Sequence, residues 1–68
     1  MKTFGQILKE KREAKGWSIN KTAIKLGVNP ASVFKWEKDE HDPRLLQACD
    51  IADLFECSLD ELCGRVQV

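Results

Sequence analysis

The stretch Ser18–Lys38, SINKTAIKLGVNPASVFKWEK, decides how the rest of the chain is read. Ser18 is a helix N-cap residue, and Ile19, Ala23 and Leu26 follow on one side of a helix over residues 19–26. Gly27 supplies a left-handed stop. Val28 leads into Asn29-Pro30, a capping residue followed by the residue favoured at the first helical position, so a second helix opens at once and runs over 30–38. Only three or four residues separate the two helices, and a turn that short forces them into a fixed mutual angle.

Outward from this pair the punctuation repeats. Thr3 with Gln6 is a capping-box pattern, with Phe4, Ile7, Leu8 and Ala14 at helical spacing and Gly16 as the stop, giving a helix over 4–15. Beyond the pair, Asp39-Glu40-His41-Asp42 reads as a polar loop. Asp42-Pro43 opens a helix over 43–55 whose inward face is Leu45, Ala48, Ala52 and Phe55, and Ser58-Leu59-Asp60-Glu61 is a second capping box opening a helix over 59–63. The expected fold is all-α, a compact five-helix bundle in one domain spanning 1–68. The only strand candidate is the tail from Arg65 to Val68.

The formal net charge is zero, but it is a sum of unlike halves. Residues 1–38 hold nine Lys and Arg against three acids, a net of +6, and residues 39–68 hold two against eight, a net of −6. A polyanion responds to the local field, so the basic half makes a nucleic acid a candidate partner. No apolar run reaches the ~20 residues of a membrane span, and no signal-peptide pattern opens the chain, so the expected compartment is the cytoplasm with no membrane contact. Cys49, Cys57 and Cys63 form no CxxC pair and His41 stands alone, so neither a metal nor a disulfide framework is expected; reduced, partly buried thiols fit better. No catalytic constellation or phosphate-cradling glycine loop is visible, and neither a cofactor nor a small-molecule ligand is expected.

Residues 17–62 resemble the lambda repressor/Cro-like helix-turn-helix family. The resemblance rests on Ala23, on Leu26-Gly27-Val28 at the turn, and on Val33, Trp36 and Glu37 in the third helix. It continues through Pro43, Leu45, Ile51-Ala52-Asp53-Leu54-Phe55 and Ser58-Leu59-Asp60-Glu61-Leu62, and helix 1 matches through Arg12 and Gly16. It implies a dimeric regulator of double-stranded DNA, a repressor of phage or controller type. Its third helix would lie in the major groove and the N-terminus of its second helix would abut phosphates. It also implies an ion pair between Arg12 and Glu37.

The residues divide accordingly. Val33 and Trp36, three apart, would anchor the third helix, leaving Pro30, Ala31, Ser32, Phe34 and Lys35 for base edges. Lys35 suits guanine O6 or N7, against the alternative of a solvated lysine or a phosphate contact. Ala31 suits a thymine methyl, and Phe34 either packs on such methyls or folds back on its neighbours. Ser18, Asn20 and Lys21 surround the free N–H groups of the second helix and suit phosphate, as do Lys38 and Arg44. Leu59, Leu62, Val66 and Val68 would form the homodimer surface or close the core. The sequence departs from the family where Ile19 replaces a glutamine, where Pro30 and Ala31 replace long polar residues, and where Asp39 replaces a glycine. The apolar residues Ile19, Pro30, Ala31 and Phe34 favour a second reading, a helix-turn-helix scaffold turned to protein binding; the basic half favours DNA.

Overall fold

A computed structural model describes residues 2–64. Its helices are α1 (Phe4–Ala14), α2 (Ile19–Leu26), α3 (Pro30–Glu37), α4 (Leu45–Leu54) and α5 (Leu59–Leu62), and no strand occurs among the described residues. Arg65–Val68, the strand candidate, lies outside them.

The caps act as the sequence suggests, with two exceptions. Thr3 Oγ1 accepts from Gln6 N–H at 3.2 Å while Gln6 Oε1 accepts from Thr3 N–H at 3.0 Å, a full reciprocal box. Ser18 Oγ accepts from Lys21 N–H, and Asn29 Oδ1 from Ala31 N–H. Gly16 and Gly27 take left-handed backbone, φ 73° and 71°, and end α1 and α2.

The first exception is α4, expected from Pro43 and beginning at Leu45. Gln47 Oε1 accepts from Arg44 N–H at 2.9 Å, which fixes the cap at Arg44. Pro43 is left outside the helix, half-buried at the rim of a cleft of about 280 Å³ that Phe4, Ala48, Leu59 and Leu62 also line. The inward face of α4 is therefore Ala48, Ile51, Ala52 and Phe55, and Leu45, expected inside, is 72% exposed. The second exception is the Ser58 box, of which only half forms. Ser58 Oγ accepts from Glu61 N–H, but the Glu61 carboxylate pairs with Lys11 of α1 instead of turning back to the cap.

The core consists of Leu8, Ala23, Val33, Trp36, Ile51, Ala52, Phe55 and Leu62, one contribution or more from every helix. α2 packs on α3 and α4, and α1 on α3 and α5. Leu62 is 1% exposed, so it closes the core and is not a surface residue available to a second copy; Leu59, 37% exposed, is. Val66 and Val68, named with them as dimer candidates, lie outside the described residues. Ala14, the last apolar position of the α1 pattern, faces solvent.

Two close contacts tie α1 to the end of α3. A Cβ on Gly5 would stand 2.5 Å from the carbonyl oxygens of both Trp36 and Glu37, so only glycine lets the two backbones approach this closely. Asp39 follows with φ 58°, left-handed backbone, its N–H donating to Trp36 O and that of Glu40 to Lys35 O. Its carboxylate accepts from Gly5 N–H at 3.0 Å and from Thr3 Oγ1 at 2.6 Å. One residue thus ends α3 and caps α1.

Candidate nucleic-acid interface

α3 owes its orientation to Val33 and Trp36, which are 0% and 4% exposed. With those two side chains in the core, Pro30, Ala31, Phe34, Lys35 and Lys38 are left exposed and Ser32 half-buried. Four of the five residues expected at base edges therefore share the outward surface of one helix, and Ser32 lies at its half-buried margin. Its leading end is chemically quiet: Pro30 has no N–H, Ala31 N–H goes to the Asn29 side chain, and Ser32 N–H goes to Asn29 O at 2.9 Å. What this end offers a partner is apolar surface and, one turn on, the Lys35 ammonium. Phe34 is 46% exposed with Lys38 Nζ 4.9 Å from its ring centroid, so the two form a cation–aromatic pair on that surface.

The start of α2 is different. Ser18 Oγ satisfies Lys21 N–H and Ser18 O satisfies Thr22 N–H, and the Thr22 hydroxyl donates back to Ser18 O. The N–H groups of Ile19 and Asn20 precede the first intrahelical bond, at the positive end of the helix dipole. Ser18, Asn20 and Lys21 are exposed around them. This is an anion-binding arrangement. Ile19, half-buried, packs against the core, so the side chain standing where the family has glutamine contributes packing rather than a polar contact.

Arg44 is exposed at the cap of α4, and it lines an open cleft of about 480 Å³ together with Ser32, Lys35, Trp36, His41, Asp42 and Gln47. Two residues expected on DNA from different elements, Lys35 and Arg44, thus border the same cleft. Asp42 borders it too. Of the acidic residues in the loop, Asp39 has its carboxylate committed to the start of α1, a role that sequence reasoning missed; the signal was an acid at the position where a helix exit ordinarily takes glycine.

The Arg12–Glu37 pair forms and is mostly shielded from water, the side chains 11% and 6% exposed. Arg12 Nε donates to Glu37 Oε2 at 2.6 Å and Nη2 to Oε1 at 3.1 Å, a two-pronged geometry, while Nη1 donates to Trp17 O at 2.8 Å. The hydrogen bonds to Glu37 hold the guanidinium charged more firmly than usual, raising its pKa against the opposing effect of burial. Lys11 is likewise raised, chiefly by its bond to Glu61. Cys57, half-buried, has its thiol pushed up by burial, and Cys49 and Cys63 are also free. Among the described residues no group of three His, Cys, Asp or Glu side chains could hold a metal ion, and no helix is long and apolar enough to cross a membrane.

Ion pairs take up Lys2 with Glu10, Lys11 with Glu61 and Arg12 with Glu37. Among the described residues this leaves Lys9, Lys15, Lys21, Lys25, Lys35 and Lys38 of the basic half outside any ion pair. A three-residue turn between two short helices and a third helix anchored by Val33 and Trp36, with its other residues outward, define a helix-turn-helix domain. Residues 8–62 match the helix-turn-helix family model, and the chain belongs to that family.

Particular relatives sharpen the placement. The chain is 38% identical over 58 residues to the HTH-type transcriptional regulator AnsR of Bacillus subtilis, covering 85% of this chain and 50% of that protein. It is 39% identical over 62 residues to the cryptic phage CTXphi transcriptional repressor RstR of Vibrio cholerae, covering 85% and 55%. The chain thus spans about half the length of these relatives. Among solved structures, the P22 c2 repressor in complex with a synthetic operator superposes with a TM-score of 0.91 over 97% of this chain and 100% of that one; at 18% identity this likeness speaks for the fold. The restriction-modification controller protein C.AhdI of Aeromonas hydrophila is 30% identical with a TM-score of 0.79, covering 87% of this chain and 89% of that one.

Proposed function

We propose that this chain is a sequence-specific DNA-binding transcriptional regulator of the cytoplasm, a single domain acting as a homodimeric repressor of phage or controller type. The observation that carries the reading is the division of α3: Val33 and Trp36 in the core, and Pro30, Ala31, Phe34 and Lys35 outward beside the phosphate-ready start of α2. In this reading the outward face of α3 enters the major groove. Lys35 donates to guanine O6 or N7, while Ala31 and Phe34 meet thymine methyls and Ser32 a base or a phosphate. The Ile19 and Asn20 amides, with Ser18, Asn20 and Lys21, grip one strand, and Lys38 and Arg44 grip phosphates at the other end of α3. None of these steps calls for chemistry on the substrate or for a cofactor. The names of the relatives, two of them transcriptional regulators, support the reading. The unpaired lysines weigh against a scaffold that binds protein alone, because such a domain has no use for so many uncompensated cations.

Selection from a pool of randomised duplexes tests it. The expected result is enrichment of a two-fold symmetric site whose half-sites are centred 10–10.5 base pairs, about 34 Å, apart. A pool that stays random after several rounds with folded protein contradicts sequence-specific recognition.

A further inference from the structure

We infer that Lys15, Lys21 and Lys25 form a second phosphate-docking surface, beside the start of α2, that engages DNA backbone flanking the base pairs read by α3. The inference rests on the reading of the chain as a DNA-binding protein and extends its footprint. It starts from Trp17. The ring of Trp17 packs on Phe55 in a tilted arrangement, centroids 5.6 Å apart and planes at 38°, and its carbonyl accepts from the Arg12 guanidinium at 2.8 Å, so the indole is a held platform. Three ammonium groups gather on it: Lys25 Nζ at 4.8 Å from the centroid, Lys15 Nζ at 5.9 Å and Lys21 Nζ at 6.0 Å.

Cation–aromatic attraction explains one or two such contacts, but three like charges around a single ring repel one another. Among the described residues none of the three forms an ion pair; Asp50 and Asp53 of α4 line a cleft that Lys25 also borders, and neither pairs with it. Three uncompensated positive charges on one face suit a polyanion. The size of the array fits a nucleic-acid strand. Any two of these ammonium groups lie within about 12 Å, the axial length over which one DNA strand presents roughly three phosphates. Its position fits too, because Trp17 directly precedes the Ser18 cap and Lys21 belongs both to the cluster and to the helix-start site. A strand held by the Ile19 and Asn20 amides continues onto the three lysines.

The test is the salt dependence of binding to a random-sequence 20-base-pair duplex for the wild type, Lys15→Gln, Lys25→Gln, their double variant and Lys9→Gln, with thermal midpoints measured alongside. Lys15 and Lys25 are exposed, so the variants keep the fold. Each substitution in the cluster is expected to flatten the slope of log K against log salt by about 0.9, and the double variant by about 1.8, with affinity lower by tens of fold at 0.1 M salt. The Lys9→Gln slope is expected to match the wild type. A wild type that binds with a salt slope the double variant shares overturns this inference and leaves the DNA-binding reading standing. An equal flattening in Lys9→Gln also overturns it, since that marks a diffuse field rather than a docked strand. A wild type that binds no duplex at low salt overturns both.

Discussion

Arg12 and Glu37 show how much of the fold hangs on a single pair. Their side chains are almost out of water, and the guanidinium bonds to both carboxylate oxygens and to the Trp17 carbonyl, linking α1, the α1–α2 turn and the end of α3. Removing one partner leaves the other charge stranded in a poorly hydrated place, which costs more than the pair itself contributes. Glu37→Ala is therefore expected to lower the urea unfolding free energy by about 3 kcal/mol, and Arg12→Met/Glu37→Leu by clearly less. Equal losses would mean that water reaches the pair. Gly5 is as unforgiving: Gly5→Ala drives a methyl into two backbone carbonyls, and a loss of at least ~2 kcal/mol is expected in the same measurement. The pair was legible from family resemblance through Arg12 and Glu37. Gly5 was not, because a glycine in the first turn of a helix carries no mark of what crosses over it; that depends on where α3 ends in space.

At the scale of the elements, caps and glycines placed α2 and α3 correctly because each signal is local: a serine or asparagine oxygen reaches a backbone N–H two or three residues on. α4 shows where such reading stops. Asp42-Pro43 has the same form as Asn29-Pro30, yet the helix starts two residues later at Leu45, where Gln47 Oε1 accepts from Arg44 N–H. A second local cap, the Gln47 side chain on Arg44 N–H, prevailed over an equal local signal. The helix exits make a second contrast. Asp39 and Glu56 both hold left-handed backbone, φ 58° and 54°. Glu56 is exposed, so Glu56→Gly relieves the strain and is expected to raise stability by up to about 1 kcal/mol, seen as a higher thermal midpoint. Asp39→Gly relieves the same strain but deletes the carboxylate that holds Gly5 N–H and Thr3, and is expected to lower the midpoint. A rise in both would show that the cap on α1 contributes little.

For the whole molecule, the sum of charge was misleading and its distribution informative. Three of the nine cations in the first 38 residues are taken by acids, and the six left over lie on the start of α2, on α3 and around Trp17, with Lys9 on α1. The proposed homodimer surface is the least legible feature, since Leu62 went to the core and leaves Leu59 as the exposed member of the two described candidates. If α5 forms that surface, Leu59→Lys is expected to shift sedimentation toward the monomer and to weaken binding to a two-fold symmetric duplex more than to a half-site. An unchanged mass would place the contact elsewhere.

Whether the outward face of α3 lies on DNA is decided by fluorescence anisotropy of a labelled duplex with the wild type and Lys35→Ala across a salt series. Wild-type affinity is expected to fall steeply with salt, and Lys35→Ala to lose about 1–3 kcal/mol of binding free energy on the selected site with little loss on random sequence. Lys35→Ala binding as tightly as the wild type, with its sequence preference intact, would contradict that placement.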